Sequence, residues 1–209
     1  MNMFRTGLFE NPYVDPAVAT AVVGNADFMR EGYQAQQRSV VMLKNHGQVL
    51  PKKPVRAGQE ATGRFSVYVP QRHYPAYPGR FGRWGSHPDY WAYPVDRSLV
   101  EGYFDWAESP SEADFALVLI QEPYSGTGYD VKDREAGGNG YVPISLQYLP
   151  YTAEYARETS IAGGDPNEAF TNRSYRGKTV TTDNADDLKM VMATRKAMGS
   201  KPVVVVVAT

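Results

Sequence analysis

A run of five valines at positions 203–207, opened by Pro202, restricts the fold more than any other stretch of this chain. An uninterrupted apolar run of this length is typical of a parallel strand that is buried on both faces. It follows a helical pattern at about 185–198, which Gly199 ends, and another strand is predicted at 114–120. Strand, helix and strand in this order predict a doubly wound α/β fold with a mostly parallel sheet.

Capping residues indicate further helices. Asp15, followed by Pro16, starts one that Gly24 ends, and Asn25 starts the next. The predicted spans are about 16–23, 26–40 and a Ser-capped 98–106, with helical turns at 152–157. In the last helix, the cap is predicted at Asp183 or Asn184 and the buried side at Leu188, Val191, Met192, Arg195 and Met198.

Between the strands predicted at 64–69 and 114–120, the composition of the chain changes. Residues 70–94 contain five prolines, which oppose regular structure, and seven interleaved aromatic side chains. We therefore expect a long irregular segment with a functional role. A further short strand is expected at 180–182.

Composition excludes several classes of function. The 209 residues carry a net charge of -1 and show no basic stripe, which argues against a nucleic-acid partner. The absence of cysteine excludes disulfides, and with only three histidines we predict no metal site and no cofactor. No stretch is long and apolar enough to span a membrane. The first residues lack the apolar core of a signal peptide, which favours a cytoplasmic location.

A loop at 121–143, QEPYSGTGYDVKDREAGGNGYVP, follows the strand at 114–120 and combines glycine, carboxylates and tyrosine. Loops of this composition at the end of a strand commonly bind ligands or carry catalytic residues. Gly137, Gly138 and Gly140 are expected to permit a positive φ or a close approach. A phosphate-binding role is not indicated, since no Lys-Ser or Lys-Thr pair follows the glycines.

Several segments resemble glycoside hydrolase family 3, which includes β-glucosidases and β-xylosidases. They are RTGLFENPYVDP, MLKN at 42–45 with LP at 50–51, GGNGYVPISLQY, SIAGGDP and FTNRSY. The resemblance implies a three-layer α/β sandwich domain that follows a barrel domain. Residues 1–24 would be the lead-in between these domains, and residues 25–209 a sandwich whose sheet we expect to be incomplete at the C-terminus.

The resemblance also implies an exo-acting retaining β-glycosidase that hydrolyses terminal β-linked sugars. Such enzymes use two carboxyl groups about 5 to 5.5 Å apart, one as nucleophile and one as acid/base. In this family the nucleophile is the aspartate of a Ser-Asp-Trp motif in the barrel, and that motif does not occur in this sequence. We therefore expect the chain to supply the second-domain wall of the active site, with the barrel domain as its partner, and to be inactive alone.

The family's acid/base glutamate comes from a loop after a strand, in segments such as SGEGYxxxxGDR. The loop at 121–143 matches that pattern, but Thr127, or Gly126 in another alignment, occupies the glutamate position and cannot protonate a glycosidic oxygen. Three carboxyl groups remain as alternatives: Glu168, Glu122 and Asp130. Asp133 beside Arg134 is expected to be a structural or sugar-binding pair, since an adjacent arginine lowers the pKa that a general acid needs raised.

Sugars offer C–H faces to aromatic rings and hydroxyls to planar polar groups. The predicted substrate-binding residues are Tyr124, Thr127, Tyr129, Asp130, Arg134, Asn139 and Arg173, and Trp84 and Trp91 suit a sugar equally well. Two other functions remain open. One is a non-catalytic carbohydrate-binding or interaction module, which Thr127 favours. The other is an unrelated nucleotide-binding α/β protein, although a glycine-rich phosphate turn between strand and helix is missing. The oligomeric state also stays open, and a homodimer is one possibility.

Overall fold

The computed structural model describes residues 2–50, 64–77, 79, 85–158 and 173–209. The chain divides into two units, Met1–Lys52 and Lys53–Thr209. The assignment of 1–24 as a lead-in and 25–209 as a sandwich domain stays a prediction. None of the helices in the described residues is long and apolar enough to cross a membrane.

The first unit contains the helices α1 (Asn2–Arg5), α2 (Pro16–Val22) and α3 (Ala26–Ser39) and a short 3-10 helix at His46–Gln48. The caps predicted for α2 and α3 are confirmed. Asp15 accepts hydrogen bonds from the first amides of α2, and the Asn25 side chain accepts one from the Asp27 N–H. Each cap satisfies backbone donors that the helix itself leaves unpaired.

The second unit contains a four-stranded parallel sheet with the strand order β4-β1-β5-β8. Its strands are β1 (Ser66–Tyr68), β4 (Asp105–Trp106), β5 (Phe115–Gln121) and β8 (Val203–Ala208). In the long pairing of β5 with β8, Ala116 lies opposite Val203 and Ile120 opposite Val207. The predicted α/β fold with a parallel sheet is confirmed.

Side chains of β5 alternate between two apolar cores, one on each face of the sheet. On one face, Ala116, Val118 and Ile120 belong to the core that includes Met198 of the helix α6 (Asp186–Met198). On the other face, Phe115 packs with Val100 of the helix α4 (Arg97–Glu101). Helices therefore cover both faces, as an α/β sandwich requires. Each fully buried large apolar side chain stabilises such a core by roughly 1.5 to 3 kcal/mol.

The valine strand β8 differs from its prediction. It is the last strand in the order of the described sheet, and it hydrogen-bonds to β5 on one side. Val205, Val206 and Val207 are 41%, 44% and 45% exposed, so the expectation of burial on both faces is wrong for the described chain. The prediction of a strand here is nevertheless confirmed, because five β-branched residues in succession favour extended backbone.

The segment at 70–94 is not irregular throughout. The strands β2 (Arg72–Tyr74) and β3 (Tyr90–Ala92) form an antiparallel ribbon in which His73 lies opposite Trp91. The prolines lie outside these two strands, where the missing N–H removes no hydrogen bond of the ladder. The ribbon was missed because each strand is only three residues long.

Three further predictions of secondary structure are corrected. The helix expected at 98–106 is the shorter α4, capped by Asp96 instead of serine, and Trp106 lies in β4. The helical turns expected at 152–157 are replaced by β6 (Tyr151–Thr152), which pairs with β7 (Thr179–Val180). In α6, no side-chain cap is present, and Asp187 and Thr194 are buried with Met198, whereas the predicted Met192 and Arg195 are exposed.

Candidate functional site

A buried ion pair stands at the carboxyl edge of the parallel sheet, where doubly wound folds bind their ligands. Arg72 donates from Nε to Asp187 Oδ1 (2.7 Å) and from Nη2 to Asp187 Oδ2 (2.9 Å). The same Nη2 donates to Gln121 Oε1 (3.0 Å), and the Gln121 N–H donates to Asp187 Oδ2 (3.2 Å). The pair therefore ties the β2–β3 ribbon and the end of β5 to the start of α6.

Asn184 holds the chain as it leaves β5. Its side-chain amide donates to the carbonyl oxygens of Gln121 (3.3 Å) and Glu122 (2.9 Å), and its Oδ1 accepts from the Tyr124 N–H (3.0 Å). The Asp183 N–H donates to the Tyr124 carbonyl (2.7 Å), and the Tyr148 hydroxyl donates to that of Gln121. The cap of α6 was predicted at Asp183 or Asn184. The Asn184 side chain instead holds the backbone at the start of the loop at 121–143.

The loop at 121–143 closes on itself. Asp130 accepts from the Lys132 N–H (2.9 Å) and caps the helix α5 (Val131–Glu135). The Asp130 N–H donates to the Gly140 carbonyl (2.8 Å), and Tyr129 pairs with Tyr141 in an isolated β-bridge. The segments before and after α5 are thus hydrogen-bonded to each other, which gives the side chains between them a defined position.

Lys178 links this loop to the segment before β7. Its Nζ lies 2.7 Å from Asp133 Oδ2 and 2.6 Å from Asn139 Oδ1. Asp133 also accepts from the Gly140 N–H (2.7 Å), and Asn139 donates to the Ser174 carbonyl (2.7 Å). The hydrogen bonds from Lys178 and from the Gly140 amide hold the pKa of Asp133 below its ordinary value. The pKa of Asp133 is lowered as expected, but the cation that pairs with it is Lys178 and not the adjacent Arg134.

Two of the loop glycines are required by close contacts. A Cβ on Gly138 would lie 2.3 Å from Asp133 Oδ2. A Cβ on Gly140 would lie 2.5 Å from the Tyr129 ring, and Gly140 also has a φ of +84°. Gly137 has a positive φ but open space beside it. The glycines therefore let the loop pack against its own tyrosine and carboxylate.

Several predicted binding residues form one cluster. The rings of Tyr129 and Tyr141 meet edge to face at 5.6 Å, and Arg134 Nη1 donates to the Tyr129 hydroxyl (3.3 Å). The guanidinium of Arg173 lies 6.0 Å from the centroid of the Tyr141 ring. With Asp130 and Asn139, this places aromatic faces beside planar polar groups and a carboxylate. We call Tyr129, Arg134, Asn139, Tyr141 and Arg173 the loop cluster.

The other predicted site residues are not members of the loop cluster, and two of them lie outside the described chain. Tyr124 and Thr127 are exposed, and the Tyr124 backbone is held by Asn184. Glu122 has an exposed side chain directly after β5. Asp130 is committed to capping α5. Glu168 and Trp84 lie outside the described residues.

Asp183 is a candidate that the sequence patterns did not single out. Desolvation raises the pKa of Asp183, the charge of Asp130 adds to the increase, and Lys132 opposes it. A carboxyl group with a raised pKa is what general acid catalysis requires. The available signal was its position before the last helix of a parallel βαβ unit, which places it at the carboxyl edge of the sheet. In the sequence it was judged only as a helix cap.

The chain is similar to curated β-glucosidases over 58% of its length. "Probable beta-glucosidase C" of Aspergillus flavus is 34% identical over 121 residues, and "Beta-glucosidase C" of Emericella nidulans is 44% identical over 123. "Periplasmic beta-glucosidase/beta-xylosidase" of Dickeya chrysanthemi is 42% identical over 122 residues. The resemblance to β-glucosidases is confirmed over this part of the chain.

The similarity has a limited extent. The aligned part covers 14% to 15% of the length of these β-glucosidases, so the chain corresponds to a small section of each. No family model matches the chain, and no solved structure matches it. Within the described residues, no group of three histidine, aspartate or glutamate side chains is placed to hold a metal ion.

Proposed function

We propose that this chain supplies the second-domain wall of the active site of an exo-acting retaining β-glycosidase that removes terminal β-linked sugars. The observation that carries the proposal is the 32% to 44% identity to β-glucosidases over 58% of the chain. The loop cluster supports it, since edge-to-face tyrosines beside arginine and asparagine suit the C–H faces and hydroxyls of a sugar. The barrel domain of the same enzyme would be the partner that carries the nucleophile.

The roles in this wall follow from chemistry. Tyr129 and Tyr141 would contact the sugar ring, whereas Arg134 and Arg173 would donate to its hydroxyls. Asp133, whose pKa is lowered, suits hydrogen-bond acceptance better than proton donation. Glu122, Asp130 and Glu168 remain candidates for the acid/base, and we add Asp183, which lies at the carboxyl edge of the sheet and whose pKa is raised by desolvation although its side chain is partly open to solvent.

Leaving-group dependence tests these candidates in the natural polypeptide that contains these residues. Glu122→Gln, Asp130→Asn, Glu168→Gln and Asp183→Asn are each assayed with an aryl β-glucoside of poor leaving group and with the 2,4-dinitrophenyl β-glucoside. Loss of the acid/base should slow the first substrate by about 100-fold or more and the second far less, since an activated leaving group needs no protonation.

Azide completes this test. It should restore turnover in the acid/base variant and yield the β-glycosyl azide, because the small anion attacks the glycosyl-enzyme without general base help. An α-configured product from the wild-type enzyme would contradict the retaining mechanism. If all four carboxyl variants keep full activity on the substrate with the poor leaving group, the acid/base is not one of these four residues.

The isolated chain is expected to show no turnover. A retaining mechanism requires a carboxylate nucleophile opposite the acid/base, and the Ser-Asp-Trp motif that supplies it in this family does not occur in the sequence. The test is incubation of the purified 209-residue chain with 4-nitrophenyl β-glucoside. Hydrolysis that copurifies with the chain would overturn the proposed division of labour. A cytoplasmic location stays a prediction, and the relative from Dickeya chrysanthemi is named as periplasmic.

The second candidate function is a non-catalytic carbohydrate-binding module. Thr127, exposed in the loop where the family's glutamate stands, favours it. Such a module would bind glucose or cello-oligosaccharides through the loop cluster, and Tyr129→Ala would abolish that binding. Two results together would favour this alternative. The chain would bind the sugar saturably, and none of the four carboxyl variants would change the activity of the natural polypeptide.

A further inference from the structure

A groove of about 440 Å³ lies between α6 and the β2–β3 ribbon. Its lining includes Trp91, Asp186, Lys189, Met190, Ala193 and Thr194. The volume falls in the range of small-ligand sites. We propose that this groove is a second, non-catalytic binding site for a neutral pyranose ring, which stacks on Trp91.

Trp91 is held in place before any ligand arrives. It is 59% exposed, yet its ring stacks on the imidazole of His73 at 4.9 Å and 24°. His73 is itself fixed at both nitrogens, with Nδ1 2.7 Å from Asp186 Oδ2 and Nε2 2.8 Å from Asp89 Oδ2. A preorganised aromatic surface binds with a smaller loss of side-chain entropy, which favours a weakly interacting ligand such as a sugar.

The charged side chains that line the groove are already paired. Asp186 Oδ2 lies 2.7 Å from His73 Nδ1, and Lys189 Nζ lies 2.6 Å from Asp186 Oδ1. The lysine ammonium therefore already has a carboxylate partner. A phosphate or carboxylate ligand would find no surplus positive charge, whereas hydroxyl groups would find both donors and acceptors.

The helix α6 contributes both apolar and polar side chains to the lining of the groove. Ala193 is small, and Met190 is an apolar neighbour one turn before Thr194. A pyranose whose C–H face lies on Trp91 would direct its equatorial hydroxyls toward Asp186 and Lys189 at the N-terminal end of α6. The expected affinity is millimolar, since a single stacking surface with a few exposed polar groups provides little binding free energy.

The groove is distinct from the loop cluster. Successive residues of a strand point to opposite faces, so His73 and Trp91 share one face of the ribbon. Arg72 and Tyr74 occupy the other face, where Arg72 meets the carboxyl edge of the sheet. Binding in the groove therefore does not depend on the proposed glycosidase function and can fail separately from it.

The experiment uses the full 209-residue chain labelled with 5-fluorotryptophan. Fluorine NMR and calorimetry follow titration with methyl β-D-glucoside and with cellotetraose, and the Trp91 resonance is assigned by Trp91→Phe. Trp91→Ala removes the stacking surface. Ala193→Trp fills the groove from α6 and leaves the contact between Trp91 and His73 in place. Tyr155→Ala, which removes an aromatic side chain that is 96% exposed, is the matched control.

We expect the sugar to cause a saturable shift of the Trp91 resonance in the wild type and in Tyr155→Ala. In Ala193→Trp, the sugar should cause no shift of that resonance. Calorimetry should show the same pattern and no binding to Trp91→Ala. Binding that survives Ala193→Trp, or that Tyr129→Ala abolishes, would overturn the groove as the site. A Trp91 shift that depends on protein concentration instead of sugar would also overturn the proposal, because it would assign the groove to a second copy of the chain.

Discussion

Arg72 and Asp187 form a two-bond ion pair whose side chains are only 6% and 1% exposed. The residues are 115 positions apart, and the pair connects the ribbon to α6. Because both charges are removed from water, the loss of one partner leaves the other uncompensated. Gln121 and Asn184 also donate hydrogen bonds to Asp187 Oδ2.

Arg72→Met should therefore destabilise the second unit by about 3 to 5 kcal/mol, the range observed when one partner of a buried pair is removed. Urea unfolding of the full chain measures the change. Lys189→Met is the control, since its ion pair with Asp186 is 78% exposed on the lysine side and should contribute less than about 1 kcal/mol. Equal losses in the two variants would contradict the importance of burial.

Lys178→Met should release the loop without unfolding the sheet. Lys178 holds both Asp133 and Asn139, so its removal leaves a partly buried carboxylate that still accepts a hydrogen bond from the Gly140 amide at 2.7 Å. We expect amide exchange at Gly138 and Gly140 to accelerate by about tenfold, while exchange in β5 stays unchanged. Arg176→Met, which breaks an exposed pair with Glu158, should alter neither. Unchanged exchange in Lys178→Met would show that the loop holds its shape without the lysine.

Two glycine substitutions separate backbone strain from steric overlap. Gly137→Ala adds a Cβ in open space at a φ of +92° and should cost roughly 1 to 2 kcal/mol. Gly140→Ala adds similar strain and also collides with the Tyr129 ring, so it should cost about 1 kcal/mol more. Thermal unfolding provides both values. Tyr129→Ala should recover the additional loss in Gly140→Ala but not the loss in Gly137→Ala.

The stabilising effect of His73 should depend on pH. The hydrogen bonds that His73 makes to the carboxylates of Asp89 and Asp186 raise the pKa of His73 above its ordinary value of 6.5, and partial desolvation opposes the increase. A raised folded-state pKa means that the contribution is complete below pH 6.5 and decreases as the pH rises through the folded-state value. Lys189 also faces Asp186, with its Nζ 2.6 Å from Asp186 Oδ1.

The difference in unfolding free energy between the wild type and His73→Gln should therefore be about 1 kcal/mol at pH near 6 and should become smaller at pH near 9. Urea titrations at the two pH values measure it. His87→Gln is the control, because the described contact of the His87 ring nitrogen is with the Pro88 carbonyl and not with a carboxylate. A difference that grows with pH would contradict the assigned protonation.

Local patterns of the sequence were sufficient for α2, α3 and β5. The caps Asp15 and Asn25 act on amides within three residues, and the apolar run of β5 specifies a strand that fits between two cores. The similarity to β-glucosidases was also readable from short segments of the chain. These features depend on neighbours along the chain, and the sequence displays such neighbours directly.

The tertiary structure alone decided the partners of the charged side chains. Asp187 was not among the residues predicted for the buried side of α6, but the packing of α6 against the ribbon buries it with Arg72. The pKa of Asp133 was expected to be lowered by adjacent Arg134, yet the cation that pairs with Asp133 is Lys178, which is 45 positions away. Charges interact through space, and the distance between them is set by how strands and helices pack. The sequence by itself therefore determined α2, α3, β5 and the similarity to β-glucosidases, whereas packing determined the geometry of the candidate site.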